Sequence, residues 1–205
     1  LICDEVMAGF YRTGKLFSFM NWNIEPDMIT FAKGITCGYV QLGGVIISKE
    51  ISDFYKDKVF QYGLTYSGHS LACAVGVATL ESYEKLNIED NVRKSGKFFK
   101  DFLEKMEKKH KCVGEARCIG LFGNLELVRN KETHEPIVPY GKDEKRIMPK
   151  VQVMLLERVF AEMGRENNIT FAPPLIITIE HLKGELPKLD EVLGFIDENL
   201  EKVDE

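Results

Sequence analysis

Two side chains of opposite charge close two short apolar runs: Asp4 follows "LIC" and Lys33 follows "MITFA". An amine at the end of a run that reads as buried is costly, because desolvation disfavours its charged form. In open α/β sheets, ligands bind just outside the carboxyl ends of the strands. If the two runs are neighbouring strands, the carboxylate and the amine face one crevice. The couple is then either a plain salt bridge or a chemical pair. A lysine amine condenses with an aldehyde to a Schiff base, and a carboxylate beside a pyridine nitrogen keeps that nitrogen protonated. Those are the two demands of pyridoxal phosphate chemistry, in which the protonated ring draws electrons from a substrate carbon. Burial would keep the Lys33 amine neutral enough to attack.

The elements that must position this pair follow from pattern. Residues 1–3, 28–31 and 43–48 read as short strands buried on both faces. "GFYRTG" and "NIEPD" form a turn-rich crossover between the first two. A short helix starts at Ile51. Ser70 to Leu86, rich in alanine, reads as a closely packed helix. Asn87 reads as the N-cap of the next helix, with Asp90 in its first turn and apolar residues at 88, 92, 99, 102, 103 and 106 on one face. Beyond Gly114, Ile119 to Val128 reads as a strand and 129–149 as a charged surface loop. Residues 150–163 fit a helix. "NITFAPPLIIT" reads as strand, break, strand, because Pro173 and Pro174 cannot sit in a central ladder. A final amphipathic helix runs from Lys188 to Val203. The predicted boundary lies at Leu86: residues 1–86 form an α/β unit, and 87–205 an α+β unit of strands covered by helices.

Composition narrows the classes. The 205 residues are 44% hydrophobic and 29% charged with a net charge of -5, ordinary for a soluble globular protein. Neither nucleic acid nor an anionic membrane is an expected partner, and no apolar run is long enough to span a bilayer. The five cysteines are odd in number and lack metal-ligand spacing, so no metal is expected. They read as free thiols of a reducing cytoplasm, with Cys3, Cys73 and Cys118 in apolar core settings. The chain opens inside an apparent buried strand, which predicts a preceding segment.

"LICDEVMAGFYRTGKLF", "EPDMITFAKGITCGYVQLGGVIIS" and "YGLTYSGHSLACAVGVA", in this order, resemble the class III pyridoxal-phosphate aminotransferases of fold type I. "GLFGNLELV" and "APPLIIT" extend the resemblance over essentially the whole chain. It implies the C-terminal part of the large α/β sheet domain followed by the small α+β domain. By match, Asp4 partners the pyridinium nitrogen, Val6 packs on the ring face away from substrate, and Lys33 is the Schiff-base lysine and proton shuttle. Thr65 matches the threonine that binds cofactor phosphate, reaching in from a neighbouring subunit; this implies a homodimer, or a tetramer built from it. The family's N-terminal half, with its phosphate-cradling turn and ring-stacking aromatic residue, has no counterpart here.

The departures bear on substrate. Met7 stands where many relatives have glutamine, Tyr11 where glycine is usual, Gln41 and Ser70 where proline is usual, and Tyr62 where histidine is frequent. The "TYSGH" form and the non-glutamine residue after "DEV" resemble most the ω-amino acid:pyruvate and taurine:pyruvate branch. That implies transfer from β-alanine, taurine or a simple amine to pyruvate or another 2-oxo acid. Arg117 matches an arginine that some members use on the substrate carboxylate; a structural ion pair suits it equally, and Arg165 follows one turn away from a second such position. Each residue taken alone has a plainer reading: Lys33 as a surface lysine, Asp4 as a cap or ion-pair partner, Thr65 as a turn residue, His69 as a satisfied polar group, and Glu5 as the salt-bridge residue. Rival readings of the chain are an aminomutase, decarboxylase or racemase on the same cofactor, and a non-catalytic dimerisation module.

Overall fold

Ile2–Asp4 (β1), Met28–Phe31 (β2) and Gly44–Ile47 (β3) are runs rich in β-branched and apolar residues, and they pair in that order into a three-stranded sheet. The computed structural model describes residues 1–139, 147–158, 161–163 and 167–200. Within them the chain divides into two units, Leu1–Asp90 and Asn91–Glu205. In the first unit β1 and β2 are parallel, with Asp4 opposite Thr30, and β3 returns antiparallel to β2. A parallel pair needs a crossover; residues 5–27 supply it, including the 3-10 turn Ser18–Asn21. Helices α1 (Lys49–Phe54) and α2 (Ser70–Lys85) follow. An aromatic cluster forms the core: Phe10 contacts Phe17, Phe31 and Tyr83 at centroid distances of 5.6, 5.9 and 6.4 Å.

The strands of this unit are less buried than their composition predicts. Ile2, Val45, Ile46 and Ile47 are exposed, and every residue of β2 is half-buried. Likewise α2 buries only Ala72, Gly76 and Tyr83, and leaves Leu71 and Val77 open. Cys73, expected in a core, is exposed; Cys3 and Cys118 are half-buried. Doubly apolar strands signal a sheet covered on both faces, and among the described residues that cover is incomplete.

The second unit is an antiparallel sheet ordered β4 (Val113–Ile119), β5 (Phe122–Asn130), β8 (Asn168–Phe171) and β7 (Ala161–Met163), with β6 (Glu135–Pro136) also on β5. Helix α3 (Ile88–Lys109) buries Ile88, Val92, Phe99, Leu103 and Met106, the predicted face, with Phe102 half-buried. Gly96 of α3 lies against the β4–β5 turn; a Cβ there would stand 2.5 Å from the Gly120 carbonyl oxygen. Helices α4 (Ile147–Arg158) and α5 (Ile179–Asn199) complete the unit.

Several boundaries differ from expectation. The strand read from Ile119 is a hairpin: Gly120 takes φ +58 at the tip and "VGEARCI" forms its own strand ahead of it. The helix read through residue 163 gives way to β7. No second strand follows Pro174 among the described residues; the chain turns there, with Ile177 N–H donating to the Pro174 carbonyl, and α5 begins at Ile179. Thr178 caps that helix through His181 N–H at 3.2 Å. Pro187 lies inside α5, eight residues past the true start. Val203 and Arg165 lie outside the described residues.

Candidate active site

The carboxyl ends of β1 and β2 lie side by side because the strands are parallel and in register. Asp4 ends β1. Its Oδ1 accepts from the Thr30 hydroxyl across the ladder at 3.2 Å and from Val6 N–H at 3.0 Å. One carboxylate oxygen is therefore fixed by the neighbouring strand and by the first turn after its own. Asp4 is exposed and Val6 half-buried. Beyond β2 the chain enters the 3-10 turn Lys33–Ile35. Lys33 takes φ +41, in the left-handed region that costs a non-glycine residue about 1–3 kcal/mol unless its surroundings hold it there. Such strain concentrates at functional positions.

Lys33 is exposed rather than buried, and among the described residues its Nζ makes neither a hydrogen bond nor an ion pair. The amine's availability therefore does not come from burial within these residues. Among these residues the amine also lacks a competing partner, and the neighbouring parallel strand ends at Asp4. An unengaged primary amine and a fixed carboxylate at one sheet edge suit a group that carries an aldehyde and a basic ring nitrogen.

The other expected residues lie apart from this edge in sequence and element. Thr65 sits in an exposed turn, where Ser67 N–H donates to the Leu64 carbonyl at 2.9 Å. Arg117 lies on β4 in the second unit. Its Nε is 3.0 Å from Glu115 and a terminal nitrogen is 4.0 Å from Glu126, so the guanidinium already has acidic neighbours.

Glu5 is a correction. It forms no salt bridge among the described residues and is 2% exposed. Its two carboxylate oxygens accept from Ser18 N–H at 2.8 Å and Phe19 N–H at 2.9 Å. It thereby ties the end of β1 to the start of the Ser18–Asn21 turn. A second unforeseen residue is Tyr83, whose hydroxyl donates to the Gly34 carbonyl at 2.7 Å, next to Lys33. Its sequence signal was the 72, 76, 83 spacing that puts one tyrosine on the buried face of an otherwise small-residue helix. Tyr11 takes φ +68. Its ring meets Tyr83 edge-on at 5.7 Å. Nearby, burial holds the Arg12 guanidinium below its ordinary range.

Comparison with known proteins bears on the chain as a whole. Residues 1–193 match the profile of the family Aminotransferase class-III. The structure of taurine:2-oxoglutarate aminotransferase from Bifidobacterium kashiwanohense, in complex with PLP and glutamate, superposes with a TM-score of 0.92 at 57% identity, covering 97% of this chain and 44% of that one. An (S)-enantioselective omega-transaminase from Thermomicrobium roseum superposes at 0.82 with 38% identity, over 94% of this chain and 43% of that one. Among curated proteins, the acetylornithine aminotransferase of Caldanaerobacter subterraneus is 35% identical over 95% of this chain and 45% of its own length. The chain belongs to the class-III aminotransferase family and carries part of the fold type I architecture. It spans less than half the length of these relatives.

Proposed function

We propose that the full-length enzyme transfers an amino group from an ω-amino acid or related amine, such as β-alanine or taurine, to a 2-oxo acid. The cofactor of this proposal is pyridoxal phosphate. The observation that carries it is the parallel β1–β2 pair, which sets a fixed Asp4 carboxylate and an unengaged Lys33 amine at one sheet edge. The 57% identity to a taurine:2-oxoglutarate aminotransferase supports this donor class, and supports 2-oxoglutarate beside pyruvate as acceptor.

Pyridoxal phosphate, when bound, supplies an aldehyde that condenses with amines and a ring that accepts electrons from the donor carbon. Lys33 would hold the group through its ε-amine until a donor amine takes that place, which would leave Nζ free. Lys33 Nζ then takes the proton from the donor's amino-bearing carbon as general base. In the second half-reaction Lys33 returns a proton to the carbon of the 2-oxo acid that receives the amino group. Asp4 holds a proton on the ring nitrogen, and its hydrogen bonds from Thr30 and Val6 fix its direction. Val6 packs against the ring. Thr65 binds the phosphate of the neighbouring subunit's site, which makes the working unit a homodimer. Arg117 serves as cation for the donor's acidic group by exchanging Glu115 for it. The setting is cytoplasmic.

A donor screen of the full-length protein tests this. Taurine, β-alanine and simple amines are offered with 2-oxoglutarate or pyruvate, and amino acid formation is followed. The expected result is amino transfer from an ω-amino donor, reduced about a thousandfold by Lys33→Ala. Carbon dioxide release, racemisation or isomerisation of the donor without transfer contradicts the proposal.

A further inference from the structure

The Lys33 turn is gripped from two sides by groups the chemistry above does not use. Phe10 occupies the space a Gly34 side chain would need; a Cβ there would come within 2.7 Å of the Phe10 Cβ and 2.8 Å of its ring. From α2, the Tyr83 hydroxyl donates to the Gly34 carbonyl at 2.7 Å. That carbonyl only accepts, so the single phenolic proton is committed to it. The Tyr83 hydroxyl oxygen also lies 3.1 Å from Cys37 Sγ, and that thiol donates to the Gly34 carbonyl at 3.8 Å. Tyr83 is itself immobilised: it is 7% exposed, stacks on Phe10 with an interplanar angle of 27° and takes the Tyr11 ring edge-on. Within the turn, Ile35 N–H donates to the Ala32 carbonyl at 3.2 Å and Thr36 N–H to the Lys33 carbonyl at 3.3 Å.

We propose that Tyr83 is a positioning residue for Lys33: its hydroxyl, acting through the Gly34 carbonyl, keeps Lys33 left-handed and its amine at the end of β2. This rests on the reading of Lys33 as the cofactor-bearing lysine. A left-handed lysine persists only where its surroundings over-determine the backbone. Reorienting the peptide after Gly34 would break the Tyr83 bond while leaving the rings packed. Removing one neutral hydrogen bond shifts such a balance about fivefold.

The test uses full-length holoenzyme, with Tyr83→Phe retaining the ring and its contacts. Two readouts apply: amide hydrogen exchange at Ile35 and Thr36, and the rate at which cofactor added to apoprotein becomes fixable on Lys33 by borohydride, read by peptide mass. The expected result is about fivefold faster exchange at those two amides and about fivefold slower Lys33 labelling, with exchange in α3 and the melting temperature unchanged. Unchanged local exchange and labelling overturns the role of Tyr83 and leaves Lys33 standing. Faster exchange everywhere with a lower melting temperature also overturns it, as the mark of a merely structural residue. Wild-type label on another lysine overturns both readings together. The wild type gives a check that needs no variant: Ile35 and Thr36 should exchange more slowly than the exposed turn at Leu64–Gly68, and equal rates overturn the proposal.

Discussion

A buried carboxylate is expensive unless hydrogen bonds or a counter-charge replace its water. Glu5 meets this condition with two backbone N–H donors, Ser18 and Phe19. The neighbouring Asp4 points to the sheet edge and is exposed. Adjacent acids thus take opposite tasks: Glu5 braces the crossover and Asp4 keeps one oxygen on Thr30 and Val6. Glutamine at position 5 keeps the shape but turns one acceptor into a donor facing an N–H. Glu5→Gln is therefore expected to lower stability by about 2 kcal/mol, read as a shifted denaturant midpoint. A change within 0.5 kcal/mol, roughly the range of neutral surface substitutions, would contradict the brace.

Among the elements, α3 and α5 are joined by a buried polar knot. His110 is 4% exposed, and its Nδ1 and Nε2 lie 2.8 Å from Asp197 and 2.7 Å from Asp190. Cys112 N–H donates to the other Asp197 oxygen at 2.8 Å, and Lys109 pairs with Asp190. Burial alone would raise both carboxyls. The Cys112 and His110 hydrogen bonds at Asp197, and those from Lys109 and His110 at Asp190, outweigh it and hold both below the ordinary carboxylate range. A depressed folded-state pKa means that unfolding takes up protons. The contribution is complete above about pH 4, the ordinary value, and is lost as pH falls through the lower folded-state values. Unfolding free energy from denaturant titrations should drop below that pH, and Asp197→Asn should flatten the drop. An equal pH slope in both proteins would contradict the knot's role. The sequence made α3 legible because its apolar face repeats every three or four residues. It hid β4, whose alternation is short and charged, and it hid the start of α5, because Pro187 reads as a breaker although Thr178 had already capped the helix. Asn87 misled for a similar reason. It takes φ +48 just after the Leu86 C-cap of α2, so its part is to end one helix in the left-handed conformation asparagine tolerates.

For the whole molecule, the edge that holds Asp4 and Lys33 was legible because two apolar runs ended in opposite charges. The burial of that edge was not, because the apolar faces of β1 and β3 find no complete cover among the described residues, and the chain spans less than half the length of its relatives. The roles of Tyr83 and Glu5 were not legible, because their hydrogen-bond partners are backbone groups, which no residue pattern announces. Lys33 is the proposed attachment point of pyridoxal phosphate. The most direct measurement is borohydride reduction of the full-length protein with pyridoxal phosphate, followed by peptide mass mapping. The expected result is one fixed cofactor per chain on Lys33, and none in Lys33→Ala. A label on a different lysine, or no label while the protein is folded and saturated with cofactor, would contradict it.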